Sequence, residues 1–236
     1  MSWLFAAAGL ALGPWLAVVT VRLAARDPAA RPGRRRVLVT CLAAAVTVGA
    51  APVLVGNRPA VLALAWFGGA AVVLAGVDLV SHRLPDRVTF PAVGVCAAAL
   101  VADAAVTGPW SALLRAVAAA VGAYLLGTVA RLVQPRGFGG GDVKLLGLIG
   151  LVLGWAGWDV LVAGVFAGLL IGALGSLVLV AAGRAGWRTA VAFGPPLLAG
   201  SYVFLRRAGP RRICLTGSLC RGPAWAWGGR GARGSF

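Results

Sequence analysis

Apolar stretches of about 20 residues, the length that a helix needs to cross a bilayer, follow one another along most of the chain. Of its 236 residues, 60% are hydrophobic and only 12% are charged, whereas a soluble domain has about 25% charged residues. A soluble globular domain and a largely disordered chain are therefore excluded, and we predict an all-α, polytopic helical membrane protein. Its eight predicted transmembrane helices cover residues 2–22, 37–56, 60–80, 88–107, 109–133, 143–158, 160–182 and 189–205.

The breaks between the predicted spans are short and carry Gly, Pro or Arg. They include Gly56-Asn57-Arg58-Pro59, Gly108-Pro109 and Gly154-Trp155. The span pairs 88–107/109–133 and 143–158/160–182 have almost no loop, so each pair is predicted to form a tight helical hairpin.

Positive charge is distributed unevenly between the loops. The net charge is +16. Thirteen Lys and Arg residues fall in or beside the odd-numbered loops, whereas the even-numbered loops contain only Arg58. The positive-inside rule then places the odd-numbered loops in the cytoplasm and the N-terminus outside. Because the arginines lie between apolar spans, they mark membrane topology, and we expect the lipid bilayer and no nucleic acid as a partner.

The C-terminal segment differs from the rest of the chain. Residues 206–236 contain seven arginines and no clear apolar span. Eight spans would place these charges outside, so either the last span does not cross, or the tail tolerates translocation, or it is a low-complexity extension. We predict a transmembrane domain over 1–205 and a basic, Gly/Arg-rich, disordered tail over 206–236.

Two of the six acidic residues stand out. Asp78 lies near the inner end of the third span, and Asp142 follows three glycines and opens the sixth. Two spans separate them, so the chain returns to the same membrane face and both carboxylates reach one boundary. Two such carboxylates can share a proton and activate water on a peptide carbonyl. The alternative for Asp142 is a helix N-cap after a flexible hinge.

The other polar residues have simpler interpretations. Asp86 is predicted to be the N-cap of the fourth span, and Asp103 an interfacial residue at the outer side. His82 is the only histidine, and the four cysteines form no C-x-x-C pair. A metal site is therefore not expected.

Four motifs occur in order along the spans. They are Gly9 to Gly13 with Arg22-Leu23, Asp78 eight residues before Asp86 of Leu84-Pro85-Asp86, Gly139-Gly140-Gly141-Asp142-Val143-Lys144-Leu145, and Phe193-Gly194-Pro195. Together they resemble the motifs of the type IV prepilin peptidase family, the leader peptidases of pilin-like proteins. The likeness covers about residues 5–205.

The resemblance implies a multi-pass aspartic endopeptidase of the cytoplasmic (inner) membrane, without a cofactor, in which Asp78 and Asp142 are catalytic. Its substrates would be prepilins or pseudopilins, cut after a Gly at the cytoplasmic face. From helix ends we predict that Asp142, at an N-terminus, is the ionised member of the pair. The supporting motif residues are Gly139, Gly141, Lys144, Pro85, Asp86, Gly194 and Pro195.

Three features depart from the family pattern or compete with it. The first loop is short and contains no cysteine, so a zinc site is not expected there. In the first span, Pro14 and Ala17 stand where the family usually has a Ser and an Asn. Because that Asn is linked to methylation in the family, N-methylation of the product is not expected. A presenilin-like protease would share G-x-G-D but has a Tyr-Asp motif where this chain has Val77-Asp78. The non-enzymatic alternative is a transporter or a scaffold component of a pilus-like machine.

Overall fold

The fold is described by a computed structural model for residues 2–56, 58–81, 84–133, 139–182 and 194–215. Over these ranges all regular secondary structure is helical, which confirms the predicted fold class. The helices are α1 (Ser2–Ala25), α2 (Arg34–Val55), α3 (Ala60–Ser81), α4 (Asp86–Thr107), α5 (Trp110–Val133), α6 (Gly140–Ala156), α7 (Trp158–Ala181) and α8 (Gly194–Leu215).

Each helix corresponds to one predicted span. Six of them, α1 to α5 and α7, are long and apolar enough to cross a membrane by length and composition. Helix α6 has only 17 residues, which is close to the lower limit of about 17 for a spanning helix. The chain is therefore a multi-pass helical membrane protein.

Two predicted boundaries are wrong. The break predicted at Gly154-Trp155 lies at Gly157 instead, and both residues belong to the last turn of α6. Their carbonyl oxygens accept hydrogen bonds of 2.8 and 2.7 Å from the Arg115 guanidinium, which satisfies the otherwise unpaired end of the helix. Helix α8 continues to Leu215, so the first ten residues of the predicted tail are helical; residues 216–236 lie outside the described ranges.

Glycines allow consecutive helices to pack backbone against backbone. A Cβ atom on Gly9 would lie 2.5 Å from the carbonyl oxygen of Ala44, and one on Gly150 would lie 2.6 Å from that of Ala119. Such distances are too short for any side chain, so these positions require glycine. The contacts hold α1 against α2 and α5 against α6 as antiparallel pairs, in the way small residues bring membrane helices together.

Helices α3 and α6 form the centre of the bundle. Almost every residue of α6 from Leu145 to Ala156 is buried, and α3 contributes Phe67 and Leu74 to the same core. The surrounding helices expose large apolar side chains such as Trp15, Leu126 and Phe166. Because lipid tails are as apolar as these side chains, this exposure fits a bundle surrounded by lipid.

The helix direction alternates, so the bundle has two distinct ends. We call the end that contains the α1–α2, α3–α4 and α5–α6 connections the arginine-rich end, and the other the opposite end. At the opposite end Asp103 is fully buried and forms an ion pair of 2.8 Å with Arg58, which also lies over the Trp155 ring. The paired guanidinium makes burial of the Asp103 charge tolerable, and the predicted position of Asp103 at the membrane interface stays a prediction.

Candidate active site

Asp78 lies in the last turn of α3, at the arginine-rich end. Its side chain is buried, with only 4% of the residue exposed. The carboxylate oxygen Oδ2 accepts a hydrogen bond of 2.9 Å from the backbone N–H of Gly194, the first residue of α8. The first N–H groups of a helix have no partner within the helix and carry partial positive charge. The N-terminus of α8 therefore stabilises and orients this carboxylate.

Gly194 leaves no room for a side chain beside Asp78. A Cβ atom there would lie 2.8 Å from Asp78 Oδ2 and 3.4 Å from its Cγ. Pro195 follows in the first turn of α8, where a proline is tolerated because its missing N–H would have no partner in the helix. Phe193, the first residue of the same motif, lies outside the described ranges.

Asp142 is the third residue of α6 and is half-buried. Its Oδ2 accepts a hydrogen bond of 3.2 Å from the backbone N–H of Gly139, the residue that precedes the helix. This is the reciprocal contact of a capping box, in which an acidic side chain in the first turn reaches back to the N-cap. The alternative interpretation of Asp142 as the N-cap is therefore wrong, since Gly139 occupies that position.

Asp78 near the end of α3 and Asp142 near the start of α6 lie at the same end of the bundle. Asp78 and Asp142 are separated by 64 residues in sequence, yet they are close enough for the charge of one to act on the other. Both carboxylates thus lie at the arginine-rich end of the bundle.

Gly141 packs directly on the residue that begins the Leu84-Pro85-Asp86 motif. A Cβ atom on Gly141 would lie 2.6 Å from Leu84 Cβ and 3.2 Å from the Leu84 backbone nitrogen. The absence of a side chain therefore allows the start of α6 to contact the segment that leads into α4.

A second contact joins the same two motifs. The Lys144 ammonium forms an ion pair of 2.6 Å with Asp86 Oδ1 and lies 5.0 Å from the centre of the Phe90 ring. Asp86 is the first residue of α4, and the N-cap is Pro85, so the predicted N-cap role of Asp86 is wrong. The carboxylate is used between helices, where it fixes the start of α4 to the start of α6.

Two features of the site were absent from the sequence-based interpretation. The hydrogen bond from the Gly194 N–H to Asp78 depends on the packing of α8 on α3, which the sequence does not give. A helix start after Phe193 could, however, have suggested backbone N–H groups in need of an acceptor. No feature of the sequence indicated that Gly141 would pack on Leu84. His82 lies outside the described ranges, and within them no three His, Cys, Asp or Glu residues form a possible metal site.

Comparisons with known proteins point to one family. The model of the type IV leader peptidase family matches residues 60–182, just over half of the chain. Two curated proteins named prepilin leader peptidase/N-methyltransferase, from Burkholderia pseudomallei strains 1026b and K96243, are 32% identical over 213 residues. Another of that name from Bacillus subtilis (strain 168) is 30% identical over 132 residues.

The alignments cover different shares of each protein. For the Burkholderia proteins they include 86% of this chain, which spans 65% of the length of those relatives. For the Bacillus protein the shares are 56% of this chain and 50% of the relative. No solved structure gave a significant match. The family match includes the helices that carry both aspartates, and the chain therefore belongs to the type IV leader peptidase family.

Proposed function

We propose that this chain is a membrane aspartic endopeptidase that removes the leader peptide from prepilin-like proteins. The observation that carries the proposal is that Asp78 and Asp142, 64 residues apart in sequence, lie at the same end of the bundle, near enough for an electrostatic interaction. The prepilin leader peptidase names of the relatives support the substrate class. We propose cleavage after a Gly, behind a short basic leader.

The proposed chemistry uses the two carboxyl groups with one proton between them. The ionised carboxylate removes a proton from water as the water oxygen attacks the scissile carbonyl carbon, while the protonated carboxyl donates its proton to the carbonyl oxygen. Return of a proton to the amide nitrogen then releases the mature protein. Both residues remain chemically unchanged, and no cofactor takes part in this scheme.

We assign the shared proton to the pair and not to one residue. The helix-end argument favours Asp142 as the ionised member, because it lies in the first turn of α6. However, Asp78 also accepts a hydrogen bond from a helix N-terminus, that of α8. The helix dipoles therefore do not distinguish the two groups, and the proposal concerns a coupled dyad.

We propose that the dyad faces the cytoplasm of a bacterial inner membrane. Support comes from the arginines of the first loop, which lie at the same end of the bundle as the aspartates. Single cysteines at Ala29 and Ser111, introduced after replacement of the native cysteines by serine, place the two ends. Ala29→Cys should resist a membrane-impermeant maleimide added to intact spheroplasts, and Ser111→Cys should react; the reverse pattern contradicts this orientation.

The central experiment measures cleavage directly. A candidate prepilin with a basic leader is incubated with the purified chain in detergent, and the mass of the mature N-terminus is determined. Asp78→Asn and Asp142→Asn should each abolish cleavage. Asp27→Asn is the matched control: this exposed residue at the same end accepts a hydrogen bond from Ala29 N–H that an asparagine oxygen can also accept.

The outcomes of that experiment separate the alternatives. Cleavage that persists in either dyad variant contradicts the aspartic mechanism. A correctly folded wild-type chain that cleaves none of the pilin-like proteins of its own genome favours the transporter or scaffold alternative. The mass of the product also reports whether its new N-terminus is methylated, which we do not expect.

A further inference from the structure

A cavity of about 820 Å³ opens between the ends of α1 and α3 and the start of α4. Pockets that bind small ligands have volumes of about 300–1,000 Å³. Neither Asp78 nor Asp142 is among its lining residues, although Val77 and Asp86 are, so the cavity adjoins the candidate site. Three arginines contribute to its wall: Arg22, Arg26 and Arg87.

The charge of the cavity is strongly positive. None of its three guanidinium groups forms an ion pair with another described residue, and the one carboxylate in the wall, Asp86, is already paired with Lys144 at 2.6 Å. Arginine presents a planar array of N–H donors that matches phosphate oxygens. A basic leader peptide would be repelled by these exposed arginines, whereas a phosphate group would be attracted.

The remaining wall of the cavity is apolar. Leu23, Val77 and Leu84 line it beside the arginines. Arg22 lies in the last turn of α1, and Arg87 in the first turn of α4, where the apolar helices reach the membrane boundary. Charged groups beside an apolar wall at this depth match an amphiphilic ligand, with a phosphate at one end and a glycerol or acyl portion at the other.

We infer that this cavity binds a phosphate group, held by Arg22, Arg26 and Arg87, at the boundary of the membrane. An anionic phospholipid headgroup and free inorganic phosphate offer the same chemistry, and experiment distinguishes them. The inference does not depend on the proposed peptidase activity, because its evidence and its test concern binding alone.

The test compares two variants with the same loss of charge. Arg22→Gln/Arg26→Gln/Arg87→Gln removes the cavity arginines. Arg34→Gln/Arg35→Gln/Arg36→Gln removes three exposed arginines at the start of α2, which do not line the cavity. Affinities for inorganic phosphate, short-chain phosphatidylglycerol and short-chain diacylglycerol are measured by calorimetry on the purified full chain in neutral detergent, after circular dichroism confirms the helical content.

We expect the wild type to bind phosphatidylglycerol, inorganic phosphate or both, and not diacylglycerol. The cavity variant should lose about tenfold or more in affinity, and the α2 variant should retain the wild-type affinity.

Phosphatidylglycerol binding without phosphate binding identifies a lipid headgroup site, and competition by free phosphate identifies a site open to both. Equal losses in the two variants, or no phosphate-dependent binding by the wild type, overturn the inference. If the triple variant misfolds, Arg26→Gln alone is compared with Arg35→Gln by the same criteria.

Discussion

The two ends of the bundle each bury an aspartate, but they surround it differently. At the opposite end Asp103 is fully buried and accepts hydrogen bonds from Arg58, from the Ala60 N–H and from Thr107. At the arginine-rich end Asp78 accepts the N–H of Gly194 and lies near a second carboxylate, that of Asp142.

This difference separates a structural carboxylate from a chemical one. A buried charge beside a guanidinium completes a contact between helices, and its loss leaves an uncompensated cation. Two carboxylates brought together gain nothing for the fold, because their charges oppose each other. We therefore propose that reactivity explains the arrangement at the arginine-rich end, and the predictions below test whether stability and activity divide between the two ends in this way.

The largest difference is expected in stability. Asp103→Asn removes the charge that pairs with the Arg58 guanidinium, whose side chain is 23% exposed, and should lower the free energy of unfolding by about 1–3 kcal/mol. Asp142→Asn removes repulsion from Asp78 and retains an oxygen that can accept the Gly139 N–H, so the free energy of unfolding should be unchanged or higher. Denaturant titration in detergent micelles measures both. A comparable loss of stability in the two variants contradicts the division between the ends.

The contact between α8 and Asp78 should govern activity. The Cβ atom of Gly194→Ala would lie 2.8 Å from the Asp78 carboxylate oxygen, so the carboxylate must shift from its position. Displacement of a catalytic group by about 1 Å can lower the rate by about 100-fold. We expect a fall of that size in kcat for prepilin cleavage, with little change in KM.

The control for this prediction is Gly69→Ala, also beside the core of α3. A Cβ atom on Gly69 meets no atom within 4 Å, so this variant should keep its activity. If Gly194→Ala cleaves at the rate of Gly69→Ala, the N-terminus of α8 does not position the dyad.

The close contact under α6 makes a smaller contribution. Gly141→Ala forces a methyl group against Leu84 Cβ and the Leu84 backbone, and overpacking of this kind costs about 1–3 kcal/mol. Gly140→Ala meets the guanidinium end of Arg131, a flexible side chain that can move aside. We expect Gly141→Ala to lose both stability and kcat/KM, and Gly140→Ala to lose much less. Equal effects would show that helix flexibility, and not the contact with Leu84, explains the glycines.

Much of the fold could be predicted from the sequence because membrane helices follow from local composition. The apolar runs gave the helix order and most ends to within a few residues, including the start of α3 at Ala60. The break at Gly157 was missed, since Gly154 and Trp155 also lie in an apolar run and their caps come from Arg115 on another helix. Local sequence carries no information about such partners.

The site was predictable only in part for the same reason. Counting spans placed Asp78 and Asp142 at one face of the membrane, which requires only topology. Which helix covers Asp78, and what Asp86 pairs with, depend on how α8 packs on α3 and how α4 packs on α6. These are contacts between segments 58 and 116 residues apart, and no spacing rule within one helix determines them.

The ion pair between Lys144 and Asp86 should have the smallest effect, and it tests the comparison from the other side. Both side chains are partly exposed, 30% for Lys144 and 56% for Asp86, and exposed ion pairs contribute about 0.2–1 kcal/mol. Unlike the Arg58–Asp103 pair, this pair should therefore affect stability little. Its role would be to hold the start of α6, and with it Asp142, in register with α4.

A double-mutant cycle of Lys144→Met and Asp86→Asn, followed by kcat/KM and by denaturant titration, separates the effect on activity from the effect on stability. We expect each single variant to lose a few-fold in kcat/KM, the double variant to lose no more than either, and all three to unfold at nearly the wild-type denaturant concentration. Strictly additive losses would mean that the two side chains act independently, for example by contacting substrate, and that the ion pair does not position the dyad.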